Sequence, residues 1–236
     1  MSLDLKISYH SNITLKDNIE PQRSKKNESI YESDAWLSVV RDGFDITTGR
    51  LKITNNNKII ANLPLMMRRK IFFKLVGIPL RGTHSEFGGL ILLDSDREEI
   101  LLAIHKCLRK AGNSWIELIF PPEVNSDKLK DFLSQIGYEV EQKHSLVLDL
   151  NQSIDDVWKS FQGRARTDIR KAKKNGLQVK CLGPEYNHDY MNLVKNVFSN
   201  QKRKNSFDIR FLDALHKHLL ADRLAHYGVF LKGKLI

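Results

Sequence analysis

The stretch Gly163-Arg-Ala-Arg-Thr-Asp-Ile-Arg-Lys-Ala-Lys-Lys-Asn-Gly176 carries six cations and one anion. Ala165, Ile169 and Ala172 recur at helical spacing, which predicts a helix with one narrow apolar stripe and basic remaining faces. Asn175-Gly176 tolerates the left-handed backbone that ends a helix, and the preceding lysines suit the negative end of its dipole. The cations form either an anion-binding site or a solvated face, and the pattern alone leaves both open.

Positive charge is concentrated in the last third of the chain. Residues 151–236 hold 17 Lys and Arg against 8 Asp and Glu, a net of +9, whereas residues 1–150 hold 21 against 20. A field of this sign attracts phosphate groups. The ligand classes that fit are a nucleotide, CoA, a nucleic acid or an anionic lipid-linked substrate.

The composition is that of an ordinary globular protein. With 41% hydrophobic residues in 236 positions, the chain can bury a sizeable core. Cys107 and Cys181 form no disulfide framework, and Cys107 lies on the apolar side of a predicted helix, where a packed thiol is expected. The N-terminus lacks the apolar run of a signal peptide and no stretch is long enough to span a membrane, so a cytoplasmic protein is predicted.

The first 150 residues predict a strand-rich domain. Turn residues between apolar runs and helix caps mark its elements. Helices are predicted from Ser33, over 95–111 and over 127–136, and strands over the hairpin 51–63 and at 72–76, 89–93, 115–120, 138–142 and 145–150. This order favours an α/β or α+β fold with a mixed sheet.

The remaining residues start a second set of elements. Ser153 caps a helix that Gly163 breaks before the basic portion. A strand at 177–181, helices at 190–199 and 211–220, and a terminal hairpin from Ala225 follow. Because a helix and a hairpin recur faintly in each half, we predict two domains, 1–150 and 151–236. The return strand of this hairpin leaves one edge unpaired, so we expect the second domain to be C-terminally incomplete.

Several motifs resemble a known family. The run Val157-Trp-Lys-Ser-Phe161, followed by Arg166 to Leu177, is similar to a signature of Fem-type (FemAB-like) aminoacyl transferases and their GNAT relatives. Tyr31, Ser33, Trp36 and Leu37, with the Asn62-Leu-Pro-Leu65 strand, fit the same group, and Leu129 to Tyr138 looks like the closing helix of a GNAT fold. The resemblance implies tandem GNAT-like domains, each a mixed, mostly antiparallel twisted sheet flanked by helices.

The resemblance also implies a chemistry. These enzymes transfer an acyl or aminoacyl group to an amine without a covalent enzyme intermediate, by positioning the amine and stabilising the developing oxyanion. The implied donor is acyl-CoA or aminoacyl-tRNA, and no tightly bound cofactor is expected. The acceptor is an anionic, phosphate-bearing precursor in cell-envelope, peptidoglycan or polysaccharide biosynthesis. The GNAT pyrophosphate loop is absent, because the nearest string, Arg109 to Ser114, ends a helix instead of opening one.

Candidate site residues follow from both lines of reasoning. Arg166, Arg170 and Lys173 are candidates for an anion site. By resemblance, Arg210 stands where Fem-type chains place an acceptor-binding arginine, although Ala214 replaces the aromatic residue one turn later, and Arg203 is a poorer candidate of the same kind. His84 and Glu86 can act as a proton-transfer pair or be ordinary loop polarity. His216 and His218 lack a third metal ligand, so no metal site is predicted, and no residue is assigned a catalytic role.

A second class of function stays open. The basic segment also suits a nucleic-acid-binding module or a non-catalytic binding fragment. Between Gly163 and Gly183, however, no Phe, Tyr or Trp is available to stack on a base. If the second domain is incomplete, we expect weak, salt-sensitive binding of polyphosphates by this chain and no turnover.

Overall fold

The computed structural model describes residues 5–11, 29–88, 97–122, 124, 126–144, 146, 148–203, 205 and 207–236. Within these ranges the chain forms both helices and strands. The helices are α1 (Asp34–Phe44), α2 (Arg97–Lys110), α3 (Asp127–Gln135), α4 (Ile154–Ser160), α5 (Gly163–Lys174), α6 (Asn187–Asn200) and α7 (Ile209–His218). The strands are β1 (Leu5–Ser11), β2 (Thr47–Asn55), β3 (Lys58–Lys70), β4 (Phe73–Ile78), β5 (Trp115–Leu118), β6 (Gln178–Cys181), β7 (Tyr227–Leu231) and β8 (Lys234–Leu235).

The chain forms two compact units. Unit 1 comprises Met1–Glu141 and Ser206–Leu219, and unit 2 comprises Gln142–Asn205 and Leu220–Ile236. The boundary therefore lies a few residues before the predicted one at 150, and α7, which the sequence places in the second domain, belongs to unit 1. The identification of the two halves as GNAT-like domains stays a prediction.

Unit 1 is built on a mixed sheet in the order β1-β2-β3-β4-β5. The first three pairings are antiparallel, and β4 pairs with β5 in parallel. This confirms the predicted class, an α/β fold with a mostly antiparallel open sheet. The hairpin predicted at 51–63 is the longer β2–β3 pair, whose turn residues Asn56 and Asn57 both have positive φ, at 49° and 60°. Asparagine tolerates this left-handed pair, which suits a tight two-residue hairpin turn.

One face of the sheet packs against α2 and α3. Strand residues such as Leu51, Leu65 and Val76 form a continuous core with Leu101 and Ile104 of α2. The apolar residues that recur at helical spacing in α2 therefore face the core, as their spacing predicts. Cys107 is half-buried on the same helix, and burial raises the pKa of its thiol.

Several predicted elements differ from the structure. The strands predicted at 138–142 and 145–150 are wrong over the described residues, which form no ladder there. The strand predicted at 89–93 lies outside the described residues, as does Ser95, the predicted cap of α2. The sequence analysis also missed β1, which pairs with β2 from Gly49 to Asn55.

Unit 2 contains a three-stranded sheet in the order β6-β7-β8, with α4, α5 and α6. The predicted terminal hairpin is the β7–β8 pair, and β6 extends it by antiparallel pairing with β7. A small core of Leu182, Phe230 and Leu235 packs against Tyr190 of α6. The predicted helix break at Gly163 is confirmed, because α4 ends at Ser160 and α5 begins at Gly163.

Candidate substrate-binding surface

Helix α7 packs on α1 through aromatic residues in unit 1. The ring of Phe211 lies 5.0 Å from that of Phe44 and 6.5 Å from that of Trp36, centroid to centroid. Gly43 permits this approach, since a Cβ added there would lie 3.0 Å from the Phe211 Cα. Ala214, where the resemblance leads one to expect an aromatic side chain, is buried.

The loop that follows β4 is fastened to α1 by hydroxyl groups. The buried Thr83 hydroxyl lies 2.7 Å from the Leu80 carbonyl oxygen, to which it donates, and 3.1 Å from Ser85 Oγ. The Trp36 indole N–H donates to the same Ser85 oxygen over 2.8 Å. These bonds fix the loop, so that His84 and Glu86 are presented on a rigid support.

His84 is part of an aromatic cluster. Its φ is +54°, and its ring stacks on Phe211 at 5.2 Å and 27°. Phe44 and Phe207 contact the same ring at 5.7 and 5.5 Å. Burial lowers the pKa of His84. The negative charge of Glu86 works to raise it, but burial has the larger effect, so the imidazole favours its neutral form. The proton-transfer role considered for His84 and Glu86 stays a prediction.

Tyr31 adjoins this cluster. Its ring meets Trp36 at 5.2 Å and Phe87 at 5.5 Å, both edge-to-face. Burial, assisted by the negative charge of Glu86, raises the pKa of the phenol. Tyr31 therefore keeps its proton at neutral pH and can donate a hydrogen bond to a ligand.

Arg210 stands in the first turn of α7, next to the aromatic cluster. Asp208 caps the helix by accepting from the Arg210 backbone N–H over 2.9 Å. The same carboxylate holds the guanidinium through Nε and Nη2, with Nη2 2.9 Å from Oδ2. The hydrogen bonds and the opposite charges of this pair raise the pKa of Arg210 and lower that of Asp208. Within the described residues these bonds leave Nη1 available, so the pair can present an oriented cation to an anion.

Arg203, the poorer candidate, lies in unit 2. Its side chain is exposed just after α6, and its backbone N–H donates to the Phe198 carbonyl oxygen over 2.9 Å. Arg203 and Arg210 belong to different compact units.

The three α5 candidates have unequal surroundings. Arg166 donates through Nη1 to the carbonyl oxygens of Lys159 and Phe161, at 2.8 and 2.6 Å. The Arg170 guanidinium lies 5.6 Å from the centre of the Trp158 ring. Lys173 is exposed on the surface of α5. Arg166 and Arg170 thus join α5 to α4, a structural role that the sequence analysis did not assign to them.

Sequence reasoning also missed an ion cluster between α1 and α7. Asp42 Oδ2 lies 2.7 Å from His218 Nε2 and 3.2 Å from Lys217 Nζ, and Arg41 Nε lies 2.9 Å from Oδ1. Partial burial works to raise the pKa of Asp42, but these hydrogen bonds together hold it well below its ordinary value. The basic end of α7 is the only sequence signal of this contact, and it does not reveal the partner.

The described residues contain no group of three His, Cys, Asp or Glu side chains arranged to hold a metal ion. None of the helices they form has the length and apolar character needed to cross a bilayer.

Comparisons with known proteins agree with the resemblance read from the sequence. A family model for the FemAB family matches residues 130–217, a range that contains α5 and Arg210. The crystal structure of FemX is similar, with a TM-score of 0.59 and 18% identity, over 84% of this chain and 52% of that one. The chain thus spans about half the length of FemX. No curated protein matches it. The chain is therefore FemAB-like in sequence over residues 130–217 and shares the fold of FemX.

Proposed function

We propose that this chain belongs to an N-acyltransferase that moves an aminoacyl group to an amine of a cell-envelope precursor, with peptidoglycan precursors as the favoured acceptors. The observation that carries the proposal is the position of Arg210. It lies inside the range matched by the FemAB family, and it stands exposed at the start of a helix beside an aromatic cluster.

An acceptor of this class carries a diphosphate and a flat ring or sugar. Arg210, oriented by Asp208 through Nε and Nη2, offers the N–H donors of Nη1 to a phosphate oxygen. His84 and Phe207 supply apolar ring faces in the same unit. The surface therefore combines one directed cation with stacking area, which is the combination that a nucleotide- or lipid-linked sugar diphosphate requires.

The proposed reaction needs little from side chains. The amine nitrogen of the acceptor attacks the ester carbonyl carbon of the donor, and a C–N bond forms as the ester C–O bond breaks. The amine gives up one proton and the departing ribose oxygen takes one, so the step balances. Binding and orientation of the two substrates supply most of the rate enhancement in such a step.

Aminoacyl-tRNA is the donor that we favour over acyl-CoA. A CoA pyrophosphate needs backbone N–H groups that converge at a helix N-terminus. The string from Arg109 to Ser114 instead spans the end of α2, where the N–H groups of Ala111 and Gly112 donate back to Cys107 and Arg109. Because these N–H groups already donate within the end of α2, the string does not suit a CoA pyrophosphate. This supports aminoacyl-tRNA as the donor and, with it, a cytoplasmic site of action.

The test is calorimetric titration with a uridine-diphosphate-linked muramyl pentapeptide. We expect Arg210→Ala to weaken binding about ten- to a hundredfold, since a charge-assisted hydrogen bond contributes about 1.5–3 kcal/mol. Arg69→Ala removes an equivalent exposed charge from β3 of the same unit and is the matched control. Equal affinities of the Arg210→Ala variant and the unmodified chain would contradict the proposal.

A further inference from the structure

Helices α4 and α5 form a hairpin that buries none of its side chains. No residue of either helix is buried, although both have apolar residues at helical spacing. Ile154, Val157 and Trp158 of α4 recur at i, i+3 and i+4, which places them on one face. Ile154 is 87% exposed, and Leu150, just before the helix, is 79% exposed. Large apolar side chains at this exposure indicate a surface that meets something other than water.

The hairpin is nevertheless an ordered element. Arg166 bridges the carbonyl groups at the end of α4, and Arg170 lies over Trp158. Trp158 also contacts Phe161, with ring centroids 6.1 Å apart. The internal contacts therefore hold the two helices together while the apolar face of α4 stays open.

The hairpin carries several cations, and only some of them have a carboxylate partner. Lys159 and Arg164 lie within 4.0 Å of Asp156 and Asp168. Lys171, Lys173 and Lys174 are exposed, and no carboxylate in the described part of the chain forms an ion pair with them. The hairpin thus has three exposed lysines near the end of α5 and exposed Ile and Leu side chains around the start of α4.

We propose that the α4–α5 hairpin docks on the surface of an anionic lipid bilayer. Lysines bind the phosphate headgroups, while Ile154 and Leu150 enter the boundary between headgroups and acyl chains. Apolar insertion and electrostatic attraction add in such helices, and each alone gives weak binding. This docking is independent of the transfer reaction, and it would bring the chain to the surface where a lipid-linked acceptor resides.

An RNA backbone fits the same surface less well. It would satisfy the lysines, but it would leave Ile154 and Leu150 in water. A base-stacking platform would need aromatic residues on α5, and that helix has none. A bilayer accounts for both the apolar and the basic residues.

Co-sedimentation with vesicles tests the proposal. One set of vesicles contains equal parts of phosphatidylglycerol and phosphatidylcholine, and the other contains phosphatidylcholine alone. We expect binding to the anionic set only, and about fivefold weaker partitioning for each lysine removed, from roughly 1 kcal/mol per cation near the surface. The Lys171→Glu/Lys174→Glu variant should therefore lose at least about twentyfold. Ile154→Ser should lose about tenfold, the equivalent of one buried aliphatic side chain.

Matched controls lie in the same unit. Lys195→Glu reverses an exposed charge on α6, and Val179→Ser removes an exposed apolar side chain on β6. Both controls should bind vesicles nearly as well as the unmodified chain. Absence of vesicle binding, or equal losses in the controls, would overturn the proposal. Binding to tRNA that depends on Lys171 and Lys174 but not on Ile154, without vesicle binding, would assign the surface to RNA instead.

Discussion

Gly77, near the end of β4, is a position that only glycine can occupy. A Cβ there would lie 2.4 Å from the Leu80 Cα and 2.5 Å from the Pro79 carbonyl oxygen. Both obstacles are backbone atoms, so neither can rotate away. The close approach starts the loop that carries Thr83, His84 and Ser85.

We therefore predict that Gly77→Ala lowers the free energy of unfolding by about 2–3 kcal/mol, measured by urea denaturation. Gly82→Ala is the control, because the space around Gly82 is open and only its φ of +79° is unfavourable. That control should cost about 1 kcal/mol. A Gly77 variant as stable as the Gly82 variant would show that the loop does not approach β4 this closely.

Asp42 gives a pH-dependent prediction. Its pKa is held below the ordinary value of 3.8 by His218, Arg41 and Lys217, so its ion pairs stabilise the fold above about pH 4. This stabilisation is lost as the pH falls through the folded-state pKa. Asp42→Asn should cost about 1–2 kcal/mol at about pH 6. In urea denaturation, its difference from the unmodified chain should shrink at about pH 3. A difference that grows on acidification would contradict this assignment.

For Arg166 and Arg170, the sequence predicted the helix but not the contacts of the side chains. Their charge and their helix were predicted correctly. Their contacts with the Lys159 and Phe161 carbonyl groups and with Trp158 depend on the angle between α4 and α5, which helical periodicity does not contain. The Asp42–His218 contact joins residues far apart in the sequence and is hidden from local patterns for the same reason.

Among the elements, α5 begins without a side-chain cap. Gln162 occupies the capping position and makes no cap hydrogen bond, whereas Ser153 of α4 accepts from the Asp156 N–H over 3.2 Å. Gln162→Ser should therefore raise the free energy of unfolding of α5 by about 0.5–1 kcal/mol. The measurement is hydrogen exchange, in which the amides of the first turn of α5 should exchange more slowly. Ser153→Ala is the converse variant and should accelerate exchange at the start of α4. Unchanged exchange in both variants would mean that capping does not limit the stability of this hairpin.

The elements that the sequence predicted well have strong local signals. Asn56-Asn57 defined the β2–β3 hairpin, and apolar spacing defined α2. The strand predicted at 145–150 contains Leu146, Leu148 and Leu150 at alternating positions, but these side chains are exposed in the structure. Alternation indicates a face that can be buried, and it does not supply a partner strand. Helix α7 groups with unit 1 because its buried residues, such as Phe211 and Leu212, pack on α1, which lies more than a hundred residues earlier.

At the scale of the whole molecule, the two units differ in how much they bury. Unit 1 contains a continuous core from its sheet, α2 and α3, whereas the core of unit 2 around Phe230 is small. We expect amide exchange to be slowest in β2, β3 and α2 and faster in α4, α5 and β6. Peptides from 207–219 should exchange like α1 and not like the α6 residues that precede them. Fast exchange in α7 together with α5 would contradict the division into these units.

The most direct test of the central claim is to locate the acceptor by hydrogen exchange. The chain is measured with and without the uridine-diphosphate-linked muramyl pentapeptide at saturating concentration. The account predicts slower exchange in the first turn of α7, around Arg210, and in the loop that carries His84. Slower exchange confined to α5, or none in unit 1 despite demonstrated binding, would contradict it.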